Sequence, residues 1–200
     1  MTGNDQDVDE LVRRAQTGDP AALGALYDRL AGRVYRYALF RVGNRADAED
    51  LMQRTFLKMI EALPGYRRRG IPFEAWLFRL VRNGVIDHLR SRRTHEPLEM
   101  AAALQSGEQG PEQAAELMAD VEEIERALRS LTPLQQEVLA YRFMAGLTPR
   151  EIGLIIGKRE GSVRALQFRA LQAMRDTLNR NVPGREARGT GIAPERGLEP

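Results

Sequence analysis

The stretch "LTPREIGLIIGKREGSVRALQFRAL", residues 147–171, reads as two short helices joined by a tight turn. Thr148 can cap the first helix, Pro149 fits its first position, and Glu151 can return the hydrogen bond from the third, a capping box. Ile152, Ile155 and Ile156 form one apolar face, and Gly157 permits the turn. Gly153, Gly157 and Val163 fall at offsets 0, 4 and 10, the spacing of a helix-turn-helix. That geometry lets the second helix lie in a major groove while the first braces it. The second helix carries Arg164 and Arg169 among apolar residues. Upstream, Thr132, Pro133 and Gln135 repeat the start signal, and Leu134, Val138, Leu139 and Phe143 are placed to pack on the corner.

The rest of the chain is also helical in pattern. Val8, Leu11, Val12 and Ala15 recur at helical spacing. Asp19-Pro20 caps a second helix whose apolar face includes Leu23, Leu26, Tyr27, Leu30 and Val34. After "VGN" at 42–44 a third helix is expected over about 46–62, ending at Pro64-Gly65, and a fourth from about Phe73 to Arg92. No stretch alternates with period two. The expected fold is all-α.

Charge divides the 200-residue chain into blocks that its net charge of +2 conceals. From Arg67 to Arg93 there are eight arginines against Glu74 and Asp87, and from Thr94 to Glu125 there are nine acids and no Lys or Arg. From Arg142 to Arg180 eight cations face Glu151, Glu160 and Asp176. The acidic block contains "EMAAALQSGEQGPEQAAE", whose Ala, Gln and Gly content reads as a flexible linker. The expected organisation is one small helical domain over 5–95, an acidic linker over 96–117, a second helical domain over 118–180, and a Gly/Pro-rich, disordered tail over 181–200.

Composition and motifs argue against several function classes. Zero cysteines exclude disulfides and thiolate metal sites. His88 and His95, the only histidines, lack metal-ligand spacing, so no metal or cofactor is expected. "GLIIGK" at 153–158 is one residue short of a phosphate loop and lacks Ser or Thr after Lys158. None of the four serines has a His partner suggested by sequence, and no catalytic constellation emerges. No run approaches the about 18 apolar residues of a membrane span and no signal peptide opens the chain, so a cytoplasmic protein is expected. The segment "YRRRGIPFEAWLFRLVRNGVIDHLRSRR", residues 66–93, pairs arginines with Tyr66, Phe73, Trp76 and Phe78. Arginines neutralise phosphates and aromatic faces stack on unpaired bases, so the pairing suits single-stranded nucleic acid; taken singly, Phe73 and Trp76 fall at a helical spacing that more often belongs to a core.

These motifs together resemble the extracytoplasmic-function sigma factors, the small two-domain class of bacterial transcription initiation factors. "ADAEDLMQRTFLKMIEAL" looks like the helix that docks on the clamp helices of RNA polymerase. "PFEAWLFRLVRNGVIDHLRSRR" is similar to the segment that opens the −10 element. "LTPLQQEVLAYRFMAGLTPREIGLIIGKREGSVRALQFRALQAMR" looks like region four, the −35 reader. The resemblance covers roughly residues 8–178 and implies roles residue by residue. Asp50, Gln53, Phe56 and Leu57 would meet polymerase, although the residues alone place Phe56 and Leu57 in a core. Tyr66, Arg79, Asn83, Asp87, Arg90 and Arg93 would meet the single-stranded −10 element, with Asn83 in the family's specificity loop. Arg159, Ser162, Arg164, Ala165, Phe168 and Arg169 would face −35 duplex. The acidic linker resembles a segment threaded through the RNA path. Implied partners are core polymerase (clamp helices and flap), promoter DNA and an anti-sigma protein. Arg54 departs from the acid usual in the docking motif, and Ala165-Leu166 from the Ser-Arg often found in the recognition helix. The competing reading is a helix-turn-helix regulator with a helical sensor or dimerisation domain, which leaves the Arg/aromatic helix and acidic tether without a purpose.

Overall fold

A computed structural model describes residues 3–91 and 122–180, with side chains in the first segment from Asp7 onward. The described residues form helices α1 (Gly3–Gln16), α2 (Pro20–Val42), α3 (Arg45–Ala62), α4 (Phe73–Ser91), α5 (122–129), α6 (Pro133–Leu139), α7 (Pro149–Ile156) and α8 (Glu160–Arg180). No strand occurs among them. The expected linker core and tail, 96–117 and 181–200, lie outside the described residues, as do Arg93 and His95.

The breaks fall where local chemistry puts them. Asp19 caps α2 by accepting from the Ala21 and Ala22 N–H groups, and Arg14 grips the same carboxylate at 2.6 and 2.8 Å. Between α2 and α3, Gly43 takes the left-handed conformation at φ 70° and Asn44 caps the next helix through Asp47 N–H. Thr132 with Gln135 and Thr148 with Glu151 both close capping boxes. The Tyr66–Pro72 segment links α3 to α4, and its Tyr66 hydroxyl donates to the Ile71 carbonyl at 3.0 Å.

The other three N-terminal helices pack around α2, whose Leu26, Leu30, Val34 and Ala38 are fully buried against Leu51 and Met59 of α3 and Leu77, Val81 and Val85 of α4. The C-terminal half does not stand apart: its Val138, Tyr141, Leu147, Ile152 and Val163 belong to the same buried cluster. Tyr37 of α2 stacks on Tyr141 with ring centres 4.7 Å apart and planes inclined by 15°. Phe78 of α4 meets both rings edge-on. Leu128, Leu131, Leu139 and Ala170 make a smaller cluster under α8.

One residue expected to pack on the C-terminal corner lies outside the core. Phe143 is 57% exposed. After α6 the chain makes a π turn over Ala140–Met144, with the Ala145 N–H reaching back five residues to the Ala140 carbonyl. A π turn holds more residues than an α turn and shifts the phase of every side chain that follows. Ala140 and Tyr141 therefore turn inward, and Phe143 turns out.

The buried phenols set an alkaline limit. Burial pushes Tyr37 and Tyr66 up to about 12 and drives Tyr141 upward as well, whereas unfolded tyrosines titrate near 10. A raised folded pKa contributes stability that is complete below the unfolded value and is lost as pH climbs through the folded one. Melting temperature should hold steady up to pH about 10 and fall between about 10 and 12. Tyr37→Phe should flatten that fall in thermal melts followed by circular dichroism; an unchanged slope would show that the Tyr37 proton is not coupled to folding.

Candidate nucleic-acid interface

The corner α7–α8 is built on a backbone contact. The Gly153 carbonyl accepts from the Gly157 and Lys158 N–H groups, and Gly157 sits at φ 70°, ψ 34°. The turn folds so tightly over α7 that a Cβ at Gly153 would lie 2.5 Å from the Lys158 carbonyl oxygen. Val163 plugs α8 into this corner with no exposed surface. The three offsets in the sequence thus correspond to a close approach, a left-handed turn and an apolar anchor.

That anchor fixes what α8 shows to solvent. Val163 and Ala170 are buried, so the pole of the outer face lies opposite them. At about 100° per residue, Ala165 and Phe168 straddle this pole, with Arg164 and Arg169 on either side about 140° apart. Arg159, Ser162, Arg164, Ala165, Phe168 and Arg169 are all exposed, and Phe168 reaches 68%. Arg164 is drawn back along the helix to Glu160 at 2.6 Å, while Arg169 Nε donates to its own helix at the Ala165 carbonyl. Neither cation has a deeply buried role.

On α4 the expected residues separate into different environments. Arg79, Asn83, Asp87 and Arg90 are exposed. Asn83 lies inside a continuous helix and not in a loop; the loop of this region is the Tyr66–Pro72 segment before it. Tyr66 is 7% exposed, packed against Phe73 and Trp76 at ring distances of 5.4 and 4.9 Å. Phe73 and Phe78 are buried and Trp76 is half-buried. In this conformation the aromatic residues brace the arginine loop from below and present no stacking face from Tyr66, Phe73 or Phe78. The reason is local: the Tyr66 hydroxyl is held by Ile71, which turns the ring inward.

The α3 set also divides. Gln53 and Leu57 are exposed, Leu57 by 61%. Asp50 is partly covered and pairs with Arg54 at 2.9 Å. Phe56 is only 5% exposed and lies under Tyr27, ring centres 4.7 Å apart. Phe56 is a core residue, as its apolar spacing alone suggested. The surface it supports includes Tyr27, expected on the inward apolar face of α2 but 42% exposed, and Ile60, 48% exposed, which no sequence motif singled out. Leu57 to Ile60 is an i, i+3 step on one face, a signal that was available in the sequence.

No group of three or more metal-ligating side chains occurs among the described residues, and none of their helices is long and apolar enough to cross a membrane. A cavity of about 210 Å³ between α3 and α4 is lined by Arg54, Lys58, Asp87 and His88 with Leu51 and Leu80.

Comparison with known proteins matches both halves to one family. The Sigma-70 region 2 model matches residues 26–95 and the Sigma-70, region 4 model matches residues 127–176. The chain is 38% identical over 167 residues to the ECF RNA polymerase sigma factor BldN of Streptomyces coelicolor, covering 82% of this chain but 63%, less than two thirds, of BldN. It is 34% identical over 184 residues to the ECF RNA polymerase sigma factor SigD of Mycobacterium tuberculosis, covering 89% of this chain and 87% of SigD. Its fold matches that of CnrH in complex with the cytosolic domain of CnrY, with a TM-score of 0.67 at 24% identity over 88% of this chain and 99% of CnrH. A helix-turn-helix with an exposed basic face, an arginine-rich helix beside it, and relatives that span both halves carry one conclusion: the chain belongs to the extracytoplasmic-function sigma factors of bacterial RNA polymerase.

Proposed function

We propose a division of labour in which each exposed face serves one partner in promoter-specific initiation. The outer face of α3, with Asp50, Gln53 and Leu57 joined by Tyr27 and Ile60, docks on the clamp helices of core polymerase; Phe56 supports it from beneath. The face of α4 with Arg79, Asn83 and Arg90, flanked by Asp87, meets the −10 strand. The outer face of α8 enters the −35 major groove. The protein itself performs no catalysis and works in the cytoplasm with the polymerase it directs, whose flap receives the C-terminal half. The observation that carries this reading is the seating of α8. Its anchor Val163 is fully buried while all six candidate −35 residues remain on the solvent side. An anti-sigma protein is proposed as the controlling partner, on the resemblance to a class commonly regulated that way and on the related fold of CnrH, solved with the cytosolic domain of a second protein. Run-off transcription from genomic fragments with purified core polymerase tests the whole reading. Discrete transcripts that require both this chain and core are expected; a chain that binds DNA as a dimer on palindromes and ignores core would overturn it.

Within that reading Arg169 and Arg164 differ in what they contribute. Arg169 lies on the Ser162–Ala165 side of the α8 pole, and a guanidinium presented to a major groove can pair with guanine O6 and N7, worth about 1–3 kcal/mol of discrimination. Arg169→Ala should therefore weaken −35-dependent transcription by about tenfold or more and reorder a panel of −35 variants. Arg164, tethered to Glu160, should act on the backbone, so Arg164→Ala should lower affinity evenly and reduce the salt slope by about one phosphate. Titration of both holoenzyme variants across the panel at several salt concentrations separates the two; an unchanged ranking with Arg169→Ala would remove its base contact.

A further inference from the structure

Residues 66–72, which lead from the end of α3 into α4, carry three consecutive arginines, and the shape of this segment is set by α1. Gln16, half-buried in the last turn of α1, donates through its amide nitrogen to the Leu63 carbonyl at 2.9 Å and the Tyr66 carbonyl at 2.8 Å. Those carbonyls lie on either side of the short 3-10 turn Leu63–Gly65 that ends α3. Asp9, two turns earlier on α1, pairs with Arg68. These contacts sort the three arginines. Arg67 Nη1 is engaged by the Pro64 and Tyr66 carbonyls of its own segment at 2.8 and 2.9 Å, and Arg68 is engaged by Asp9. On α4, Arg79 Nη2 donates to the Leu154 carbonyl at 3.0 Å and Arg82 Nε to Glu137 Oε1 at 2.6 Å. The exposed Arg69 guanidinium has no ion pair or hydrogen bond among the described residues.

We propose that Gln16 is a positioning residue for promoter contact: by clasping the 66–72 segment to α1, with Asp9 as the second tie, it holds Arg69 out for a backbone phosphate of the −10 strand. The inference rests on the reading of α4 as the −10 surface. The segment runs directly into that helix, and Arg79 lies six residues beyond Phe73, about 9 Å along the helix axis. A phosphate is the target because a guanidinium presents charge and a fork of donors that match phosphate oxygens. Stacking on a base is not open to this segment, since its neighbouring rings, Tyr66 and Phe73, are buried. The clasp acts by order. A segment held in one shape before the strand arrives loses little freedom on binding, and that pre-organisation shows as affinity.

Two readouts test the clasp, one on the free chain and one on holoenzyme. Trypsin can cut after residues 67–69 only when the segment leaves its ties, so the cleavage rate follows the population that has opened. Gln16→Met keeps the side-chain length and removes the donors. It should speed cleavage at this segment about tenfold, the worth of two neutral hydrogen bonds, and Gln16→Lys, which can again donate to both carbonyls, should restore most of the protection. Circular dichroism verifies the fold of each variant. With holoenzyme, Arg69→Ala should weaken binding of a single-stranded −10 oligonucleotide about tenfold, the worth of one charge-assisted hydrogen bond. It should also lower the salt slope by about 0.7, that of one single-strand phosphate. Arg13→Ala removes the same charge from an exposed site on α1 and should leave the slope unchanged. Gln16→Met should weaken binding too, and adding Arg69→Ala to it should cost much less than in the parent chain, a coupling that a loss of stability alone would not produce. Equal slopes for Arg69→Ala and Arg13→Ala, additive effects of Gln16→Met and Arg69→Ala, or cleavage unmoved by Gln16→Met would each overturn the proposal. A parent holoenzyme that ignores the −10 oligonucleotide, in a chain whose segment Gln16→Met still loosens, overturns the phosphate contact through the reading of α4 and not through the clasp.

Discussion

Gly153→Val should cost about 3 kcal/mol, at the upper end of the usual penalty for overpacking, and should abolish −35 recognition before it affects the N-terminal helices. The neighbour a Cβ would strike is the Lys158 carbonyl oxygen, 2.5 Å away. That atom belongs to the backbone of the turn, so no side-chain rotation relieves the clash. The turn must lift off α7, which breaks the two hydrogen bonds to the Gly153 carbonyl and withdraws Val163 from its seat. Even Gly153→Ala should be destabilising, although alanine is intrinsically the better helix former. Urea unfolding of the full chain, with binding of −35 duplex by holoenzyme as the second readout, checks this. A Gly153→Ala protein as stable as the parent would mean that the turn can relax without losing its register, and would remove the packing argument for the corner.

Glu74→Ala should be comparably severe, by a different mechanism. Glu74, 9% exposed, takes Arg33 in a two-pronged ion pair with both contacts at 2.8 Å. The same guanidinium lies 5.8 Å from the centre of the Phe78 ring and donates to Ala145 across the two halves. Removing the carboxylate strands a cation against the aromatic core. Breaking one side of a buried pair costs about 3–5 kcal/mol, whereas replacing both partners with apolar side chains is often neutral. Arg33 keeps some contact with solvent, so about 3 kcal/mol is expected for Glu74→Ala. The double change Arg33→Met with Glu74→Leu should recover most of that stability while weakening the link to Ala145. Chemical denaturation of Arg33→Met, Glu74→Leu and the double variant gives the coupling directly. A loss under about 0.5 kcal/mol for Glu74→Ala would show that water reaches the guanidinium freely.

The candidate site was unevenly legible. For α8, offsets from Val163 were enough to place Arg164, Phe168 and Arg169 outward, because a helix with one buried anchor has a determined exterior. For α3 the resemblance placed Phe56 on the docking surface, yet it is covered by Tyr27 from α2; a motif assigns a helix to a partner without specifying which of its residues reach solvent. For the Tyr66–Arg93 segment the pairing of aromatics with arginines suggested stacking on bases, but Tyr66, Phe73 and Phe78 are spent on the core. Arg82, Glu137 and Arg33 carried no motif, since each finds its ion-pair partner at least 41 residues away in sequence.

What the sequence determined by itself was local: the all-α class, the boundaries of α2, α3, α4 and α7, both C-terminal capping boxes and the helix-turn-helix. Asp19, Asn44, Thr132, Thr148, Gly43 and Gly157 act on atoms within a few residues of themselves, so their effects follow from spacing. Tertiary structure alone decided the packing of one half on the other, the outward turn of Phe143 and the engagement of Arg79 and Arg82. Those outcomes depend on which surfaces meet. A buried Tyr141 against Tyr37, reached through the phase shift of a π turn, joins residues more than a hundred positions apart, and no periodicity in either segment encodes that encounter.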